Sequence, residues 1–410
     1  MAQYQLTVNE ETLQNLLSGD GESLAKLLEE LLNQVLEAQR TEQLQADNYE
    51  RTDGRQGYRN GYKPRKMNTR VGTLNLRVPQ IREGVFSTEL FSRYQRSEQA
   101  LVLTLMEMVV NGVSTRKVTE ITEELCGTQF SASTVSDLCK RLDPKVTAWN
   151  ERDLSETTYP FLIVDALVLR IREGGRIRQH SMLIVTGVNA DGYREILGVQ
   201  IGNSETQESW SKLFRWLKGR GLSGVEYVVS DDHSGLVNAI QTEFQGAVWQ
   251  RCQTHFMRNI LDACPKRLQK SLHGRLRSLF EAPDFPTAEQ LLQDILRDFS
   301  DAAPKAMETL EQGFLDAVAV LHLPEKYRRR LRTTNSVERL NEEIRRRERV
   351  IRIFPNQESA MRLIGALLLE QHEVWSTGRL YFNMNEFWEW KREQELEKED
   401  TSKNQKLGVA

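Results

Sequence analysis

Phe161-Leu-Ile-Val-Asp-Ala-Leu-Val-Leu169 decides how this chain is read. The run is short, and it is apolar at odd and even positions alike. That pattern predicts a strand covered on both faces, and so a central one in its sheet. Its single polar residue is Asp165. An unpaired carboxylate there is expensive to bury. It needs a cation, a hydrogen-bond cage or an open strand end.

Working outward, Ser181–Val188 and Tyr193–Ile201 read as further strands, with the turn Asn189-Ala-Asp-Gly192 between them. A helix is expected to start near Ser204, with Gln207 as its capping partner. Trp210, Leu213, Phe214 and Leu217 form its inner face, and Gly219–Gly221 stops it. Glu226–Ser230 is the next strand, Ser234–Phe244 a helix and Ala247–Gln250 a short strand. The order β-β-β-α-β-α-β is that of a ribonuclease H-like mixed α/β sheet.

Further along, residues 256–332 lack strand-like alternation and read as an all-helical block. Asn335–Arg349 is one more helix, and Ser359–Trp390 is helical and aromatic. The charged residues 391–410 are expected to be disordered. Upstream, residues 8–46 read as helix. Leu13, Leu16 and Leu17, then Leu24, Leu27, Leu28, Leu31 and Leu32, recur at helical spacing, and Ser18-Gly19-Asp20-Gly21 breaks them. Such a stripe is core or a dimer seam. In residues 51–95, Gly54, Gly57, Gly61 and Gly72 punctuate a Gly-rich loop, and Val71–Pro79 alternates like a strand or hairpin. Three helices follow. The first is Ala100–Val110. The second starts after Ser114-Thr115, carries Val118, Ile121 and Leu125, and ends at Gly127. The third starts at Ser131 or Ser133, with Val135, Leu138 and Leu142. The last two resemble a helix-turn-helix, a weak pattern by itself.

The chain has 410 residues, enough for two to four domains. Hydrophobic content is 39% and charged content 28%, a globular balance. No apolar run approaches the roughly 20 residues of a membrane span. The polar, acidic N-terminal stretch does not read as a secretory signal. Four cysteines make no disulfide framework. A reduced, cytoplasmic setting is expected. Net charge is only −3, from 55 basic and 58 acidic residues. The distribution says more. Between Arg51 and Arg82 the bases Arg51, Arg55, Arg59, Lys63, Arg65, Lys66, Arg70, Arg77 and Arg82 stand with Asn60, Tyr58 and Tyr62, and Asp53 is the one acid. A second basic cluster holds Arg345, Arg346 and Arg349. Basic side chains interleaved with aromatics suit phosphate contact and groove insertion, although a solvated loop is the plainer reading.

Two further carboxylates join Asp165. Asp231 lies where the strand Tyr227–Ser230 ends, a place where ligand-binding groups collect. It could equally cap the helix at Ser234, as could Asp232. Glu338 stands on the helix Asn335–Arg349, where Val337, Leu340 and Ile344 should face the core. Glu338, Asn341 or Glu342, Arg345 and Arg349 make the neighbouring polar face, which could be simply solvated. Three hard oxygen ligands on separate elements would suit two Mg²⁺ or Mn²⁺ ions, as in-line phosphoryl transfer requires. Cys252 and His255 follow the last strand. A zinc site would need two more ligands, and Cys264 and His273 do not match a known spacing. A structural hydrogen-bonding role is the alternative.

These pieces occur in order with Arg59-Asn-Gly-Tyr62, Gly72–Pro79, Glu208-Ser-Trp210, Val229–Leu236, Gln250–His255 and Thr334–Arg346. Together they resemble the Mutator-type transposases of bacterial insertion sequences over nearly the whole chain. The resemblance implies a DDE triad of Asp165, Asp231 and Glu338, spaced by 66 (231 − 165) and 107 (338 − 231) residues. Asp232 would be the neighbouring acid that is not a ligand, and Cys252 and His255 would be the family's Cys-x-x-His element. Relatives often carry a glycine and a basic residue close behind the aspartate, where this chain has Ala166-Leu167. The resemblance further implies binding of terminal inverted repeats and target DNA, strand cleavage and joining through a circular copy-out, paste-in intermediate, and at least a homodimer near the bacterial nucleoid. A ribonuclease H-like nuclease and a domesticated DNA-binding protein are the competing readings.

The expected organisation is multidomain. Residues 1–50 form a helical or dimerisation segment, 51–95 a basic DNA-binding segment and 96–152 a helix-turn-helix-like domain. Residues 153–255 begin a ribonuclease H-like catalytic core, 256–332 are an all-α insertion domain, 333–390 complete the core and 391–410 are a charged tail.

Overall fold

The computed structural model describes residues 6–8, 10, 14, 21–50, 53–82, 84–88, 90–91 and 95–407. The chain divides into two compact units, Met1–Arg141 and Leu142–Ala410.

In the first unit, helix α1 (Gly21–Leu44) packs on an antiparallel hairpin of β1 (Arg59–Thr69) and β2 (Gly72–Ile81). On β2, Leu74 and Leu76 are buried while Thr73, Asn75 and Arg77 are exposed, the period of a half-buried strand. They join Leu36, Met67 and Phe91 in the core of this unit. The stretch expected as a Gly-rich loop is therefore largely strand. Its side chains stay mostly exposed, because only Met67 and Thr69 of β1 are buried. The leucines Leu13, Leu16 and Leu17 and the break Ser18–Asp20 lie outside the described residues.

Helices α2 (Gln99–Val110), α3 (Thr115–Cys126) and α4 (Ala132–Cys139) follow. Their ends match their capping residues. Ser114 accepts from the Lys117 N–H, Ser131 accepts from the Thr134 N–H, and Gly127 closes α3 at φ 59°. The inner face of α3 is rotated from the expected one. Val118 and Thr122 are buried, whereas Leu125 is 71% exposed.

The second unit opens with α5 (Asp143–Asn150) and a five-stranded mixed sheet. Strands β3 (Phe161–Glu173), β4 (Arg176–Val188) and β5 (Arg194–Gly202) run antiparallel. Helix α6 (Gln207–Gly219) crosses over to β6 (Tyr227–Ser230), and α7 (Ser234–Glu243) leads to β7 (Val248–Arg251). The sheet order is β5-β4-β3-β6-β7, with β6 parallel to β3 and β7 parallel to β6. Strand β3 thus holds the central place that its two apolar faces require. Leu162 and Val164 pack with Trp210, Phe214 and Leu236 on one face. Phe161 and Ile163 pack with Val229, Tyr327 and Phe387 on the other. Helix α6 starts later than the sequence suggests. Thr206, not Ser204, is its N-cap and accepts from the Ser209 N–H at 3.3 Å.

Helices α8 (Gln253–Asp262), α9 (Lys266–Phe280), α10 (Phe285–Phe299) and α11 (Pro304–Val318) enclose a core of their own around Phe256, Leu276, Ile295 and Leu310. After α12 (Glu325–Leu331), helix α13 (Asn335–Ile351) returns alongside β3, and α14 (Gln357–Thr377) packs on β5. Helix α15 (Met384–Leu407) runs through the charged tail that was expected to be disordered. Its Glu- and Lys-rich sequence is composed of good helix formers. Among the described residues no helix is long and apolar enough to cross a membrane.

The β4–β5 turn anchors the segment between α14 and α15. The Gly192 carbonyl accepts the N–H groups of Tyr381 (2.8 Å) and Phe382 (3.1 Å). Gly192 has φ +95°, and a Cβ there would overlap the Phe382 carbonyl oxygen. Gly192→Ala should therefore destabilise the second unit by roughly 2–5 kcal/mol. Denaturant unfolding checks this; an unchanged midpoint would contradict it.

Candidate active site

The register of β3 against β6 places the first two carboxylates. Ile163 pairs with Val229 in parallel. Continued by two residues, the same register sets Asp165 level with Asp231. Strand β6 ends at Ser230, so the neighbour of Asp165 on that side is an open strand end. Asp165 is 9% exposed. Its Oδ1 accepts the Ala166 N–H (2.9 Å), and its Oδ2 accepts an N–H of the Asn341 amide (2.7 Å). Burial pushes its carboxyl pKa up to about 7, and the charges of Asp231 and Glu338 push the same way, against the Ala166 N–H and His255.

Asp231 is half-buried and Asp232 exposed. They are told apart by Arg251, whose guanidinium pairs with Asp232 at 2.9 Å. Neither takes the N-cap position of α7, which belongs to His233. The capping alternative for Asp231 does not hold.

Glu338 lies in the first turn of α13, on the side opposed to the buried Val337, Leu340 and Ile344. Its Oε1 is buried without a hydrogen-bond partner, 3.5 Å from His255 Nε2. Helix α13 is seated on β3 by the Asn341–Asp165 bond and by Arg345, which donates to the Val168 carbonyl at 3.2 Å. The start of the helix is held by Cys252. The buried Cys252 Sγ accepts from the Thr334 N–H (3.4 Å) and the Thr334 hydroxyl (3.3 Å). Burial alone would raise the Cys252 thiol, but hydrogen bonds from His255 and Thr334 hold it below its usual range. The same Cys252 bond, aided by the charges of Cys252, Glu338 and Asp165 and opposed by burial, lifts His255 to about 9.

Cys252, His255 and Glu338 offer donor atoms within 4.8 Å of one another. The third member of that group is Glu338, not the Cys264 or His273 nearby in sequence. Cys264 Sγ instead lies 3.7 Å from the Pro265 carbonyl. For a hard divalent cation, the fitting donors are the oxygens of Asp165, Asp231 and Glu338. Glu338 Oε1 and Asn341 Oδ1 are both buried acceptors with no hydrogen-bond partner, a lack that a cation would fill.

Two participants were not assigned from sequence. Asn341 was one of several polar candidates on its helix, and only the fold identifies it as the partner of Asp165. Glu205, between β5 and α6, is half-buried; burial raises its carboxyl, and the Asp231 charge adds to the effect. A single acid in a loop gives no sequence signal.

The basic residues fall into distinct environments. In the first unit, Asn60, Lys63 and Lys66 on β1 are exposed. Arg59 is turned inward to Glu37 and to Thr41 Oγ1 (2.8 Å). Tyr62 bonds Glu37 and is flanked by Arg40 and Arg77. Arg55 lies over Tyr58, Arg65 over Phe91, and Arg70 pairs with Glu98. Arg51 lies outside the described residues. On α13, Arg346 is bound to Glu343, while Arg349 is exposed.

The raised Asp165 pKa makes a stability prediction for metal-free protein. The native carboxyl binds its proton more tightly than the unfolded one, so the native state loses stability as pH rises from about 4 to about 7. Asp165→Asn should remove that loss. Without divalent metal it should be more stable than wild type by a few kcal/mol at pH 8, on the order of 1.4 per unit of pKa shift, with the gain vanishing below pH 4. Equal stability at pH 8 would contradict the buried-charge account.

Residues 1–378 match the model of the family "Transposase, Mutator family". The chain is 45% identical over 390 residues to the transposase for insertion sequence element IS256 in transposon Tn4001 of Staphylococcus aureus, covering 94% of this chain and all of that protein. It is 46% identical over 380 residues to the transposase for ISRM5 of Rhizobium meliloti, covering 93% and 95% of the two chains. Against the transposase for IS1081 of Mycobacterium tuberculosis it is 41% identical over 336 residues, covering 82% and 81%. The chain belongs to the Mutator family of transposases.

Proposed function

We propose that this chain binds the terminal inverted repeats of its own insertion sequence and cuts and joins DNA by phosphoryl transfer at Asp165, Asp231 and Glu338. The observation that carries the reading is the convergence of the three acids. The register continued from β3 and β6 sets Asp165 level with Asp231, and α13 brings Glu338, whose buried oxygen has no hydrogen-bond partner, close enough for its charge to act on Asp165. Two Mg²⁺ or Mn²⁺ ions held by these carboxylates would supply the Lewis acidity that activates a water or 3′-hydroxyl and stabilises the leaving oxygen. The sheet order, with the first acid on the central strand and a helical block before the last helix, supports a ribonuclease H-like core of the DDE type.

The other residues hold this geometry. Asn341 fixes one Asp165 oxygen and ties α13 to the sheet. Cys252 and His255 position Thr334 and Glu338 at the start of α13. Arg251 keeps Asp232 engaged, leaving Asp231 for the cation. The exposed Lys63 and Lys66 of the β1–β2 hairpin and the capped helix pair α3–α4 are the DNA-reading parts, and Arg345 and Arg349 stand on α13, the helix that carries Glu338. Two element ends must be brought together, so the working form is a homodimer or larger. Joining proceeds through a circular copy-out, paste-in intermediate.

The test is the gene with its own flanking DNA in a bacterial host, with PCR across circle junctions and new insertions. Wild type should give both; Asp165→Asn, Asp231→Asn and Glu338→Gln should each lower junction yield by at least about a hundredfold while remaining folded, as loss of a principal electrostatic contributor implies. A folded triad variant with wild-type junctions would overturn the assignment.

A further inference from the structure

On the flank of α13 away from Asp165, a pocket of about 540 Å³ is lined by Arg194, Arg329, Arg330, Arg339 and Arg379. From this pocket we infer a second DNA-backbone site, which takes phosphodiester groups of the strand handled by the carboxylates. The inference rests on the functional reading above and extends it to residues outside the acid cluster.

Charge is the first ground. The one acid in the lining is Glu343, and its carboxylate is already engaged by Arg346 (2.8 Å) and Arg347 (3.1 Å), which hold it down at about 2. Among the described residues no ion pair involves Arg194, Arg329, Arg339 or Arg379. So many guanidinium groups around one pocket, without a carboxylate of their own, repel one another unless an anion joins them. Burial lowers Arg194 to about 10, and the charges of Arg330 and Arg339 add to this.

Preorganisation is the second. Arg194 lies 3.3 Å over the Trp375 ring and 4.9 Å from the Tyr381 ring, and Arg330 stacks on Tyr381 from 4.7 Å. Arg330 also donates to the Tyr381 carbonyl. The aromatic rings fix the planes of these guanidiniums, and Arg194 Nε is buried without a partner. A guanidinium held in one plane is suited to bidentate phosphate contact.

Shape and place are the third. The pocket adjoins another of about 630 Å³ that shares Arg329, Arg330 and Tyr381. There Glu386 is paired with Lys326 at 2.9 Å, so the shared arginines set the charge of the groove that the two pockets make, and such a groove fits an extended polyanion better than a single small one. Arg339 is the neighbour of Glu338 on α13, and successive residues point about 100° apart around a helix. One face of the helix therefore serves the acids while the next faces the groove, so a strand leaving the carboxylates can pass directly to the arginines.

The experiment uses the full-length chain and duplex DNA from the gene's own flank. Phenylglyoxal labelling read by mass spectrometry follows Arg329, Arg339 and Arg379, which are exposed, with Arg277 on α9 as reference. DNA should cut labelling of the three several-fold and leave Arg277 unchanged, and inorganic phosphate at equal phosphate concentration should not. The variant Arg329→Gln/Arg339→Gln/Arg379→Gln should bind the same DNA with a log–log salt slope shallower by roughly 2 to 3, at about 0.9 per lost phosphate contact. Unchanged labelling with an unchanged slope would overturn the site, as would protection by inorganic phosphate alone. A wild-type chain that bound no DNA would sink the functional reading, a result distinct from wild-type binding that ignores the three arginines.

Discussion

A carboxylate on the central strand of an apolar sheet is the constraint on which the second unit depends. Asp165 is 9% exposed and stands beside residues packed on both faces of β3. Water cannot solvate it, so the fold must supply partners. The partners come from two directions. The Ala166 N–H is local, and Asn341 arrives on α13. Two of the nearest charges, Asp231 and Glu338, are of the same sign and make the burial costlier. A protein that gathers like charges in a dry place needs a counter-charge there, and this ties the structural cost to the proposed chemistry.

The helical block α8–α12 separates the strands from α13 in sequence yet leaves them in contact. Helices α8–α11 close around a core of their own, while α12 lays Tyr327 and Leu331 against the sheet at Phe161. What the sheet and α13 require is that the two ends of the block meet. The Cys252–Thr334 bonds make that join, with Cys252 following β7 and Thr334 capping α13. His255, in the first turn of α8, then faces Glu338 at 3.5 Å. The Cys-x-x-His element is in this view a clasp, and its position explains why a sulfur and an imidazole sit beside a set of hard oxygen donors.

Much of this was legible in the sequence, for physical reasons that differ from element to element. Strand β3 announced its central place because its apolar residues do not alternate. Ser114, Gly127 and Ser131 marked helix ends because their side chains or backbone satisfy orphan groups there. The start of α6 was misplaced because Ser204 and Thr206 offer the same capping chemistry, and only packing chooses Thr206. Strand β1 looked like a loop because its cross-strand partners, not its own apolar content, make it a strand. The three acids could be named singly, each with an ordinary alternative. Their juxtaposition could not be read locally, since the bond that joins α13 to β3 spans 176 residues. Glu205 and the arginine groove were missed for the same reason: each is assembled from segments that carry no motif.

The most direct test of the central claim is where a divalent ion binds. Crystals grown with Mn²⁺ and a short duplex would locate it by anomalous scattering. The account predicts manganese peaks bridging the carboxylates of Asp165 and Asp231 and reaching Glu338. Peaks confined to Cys252 and His255, or an Asp165 carboxylate with no metal beside it, would contradict it.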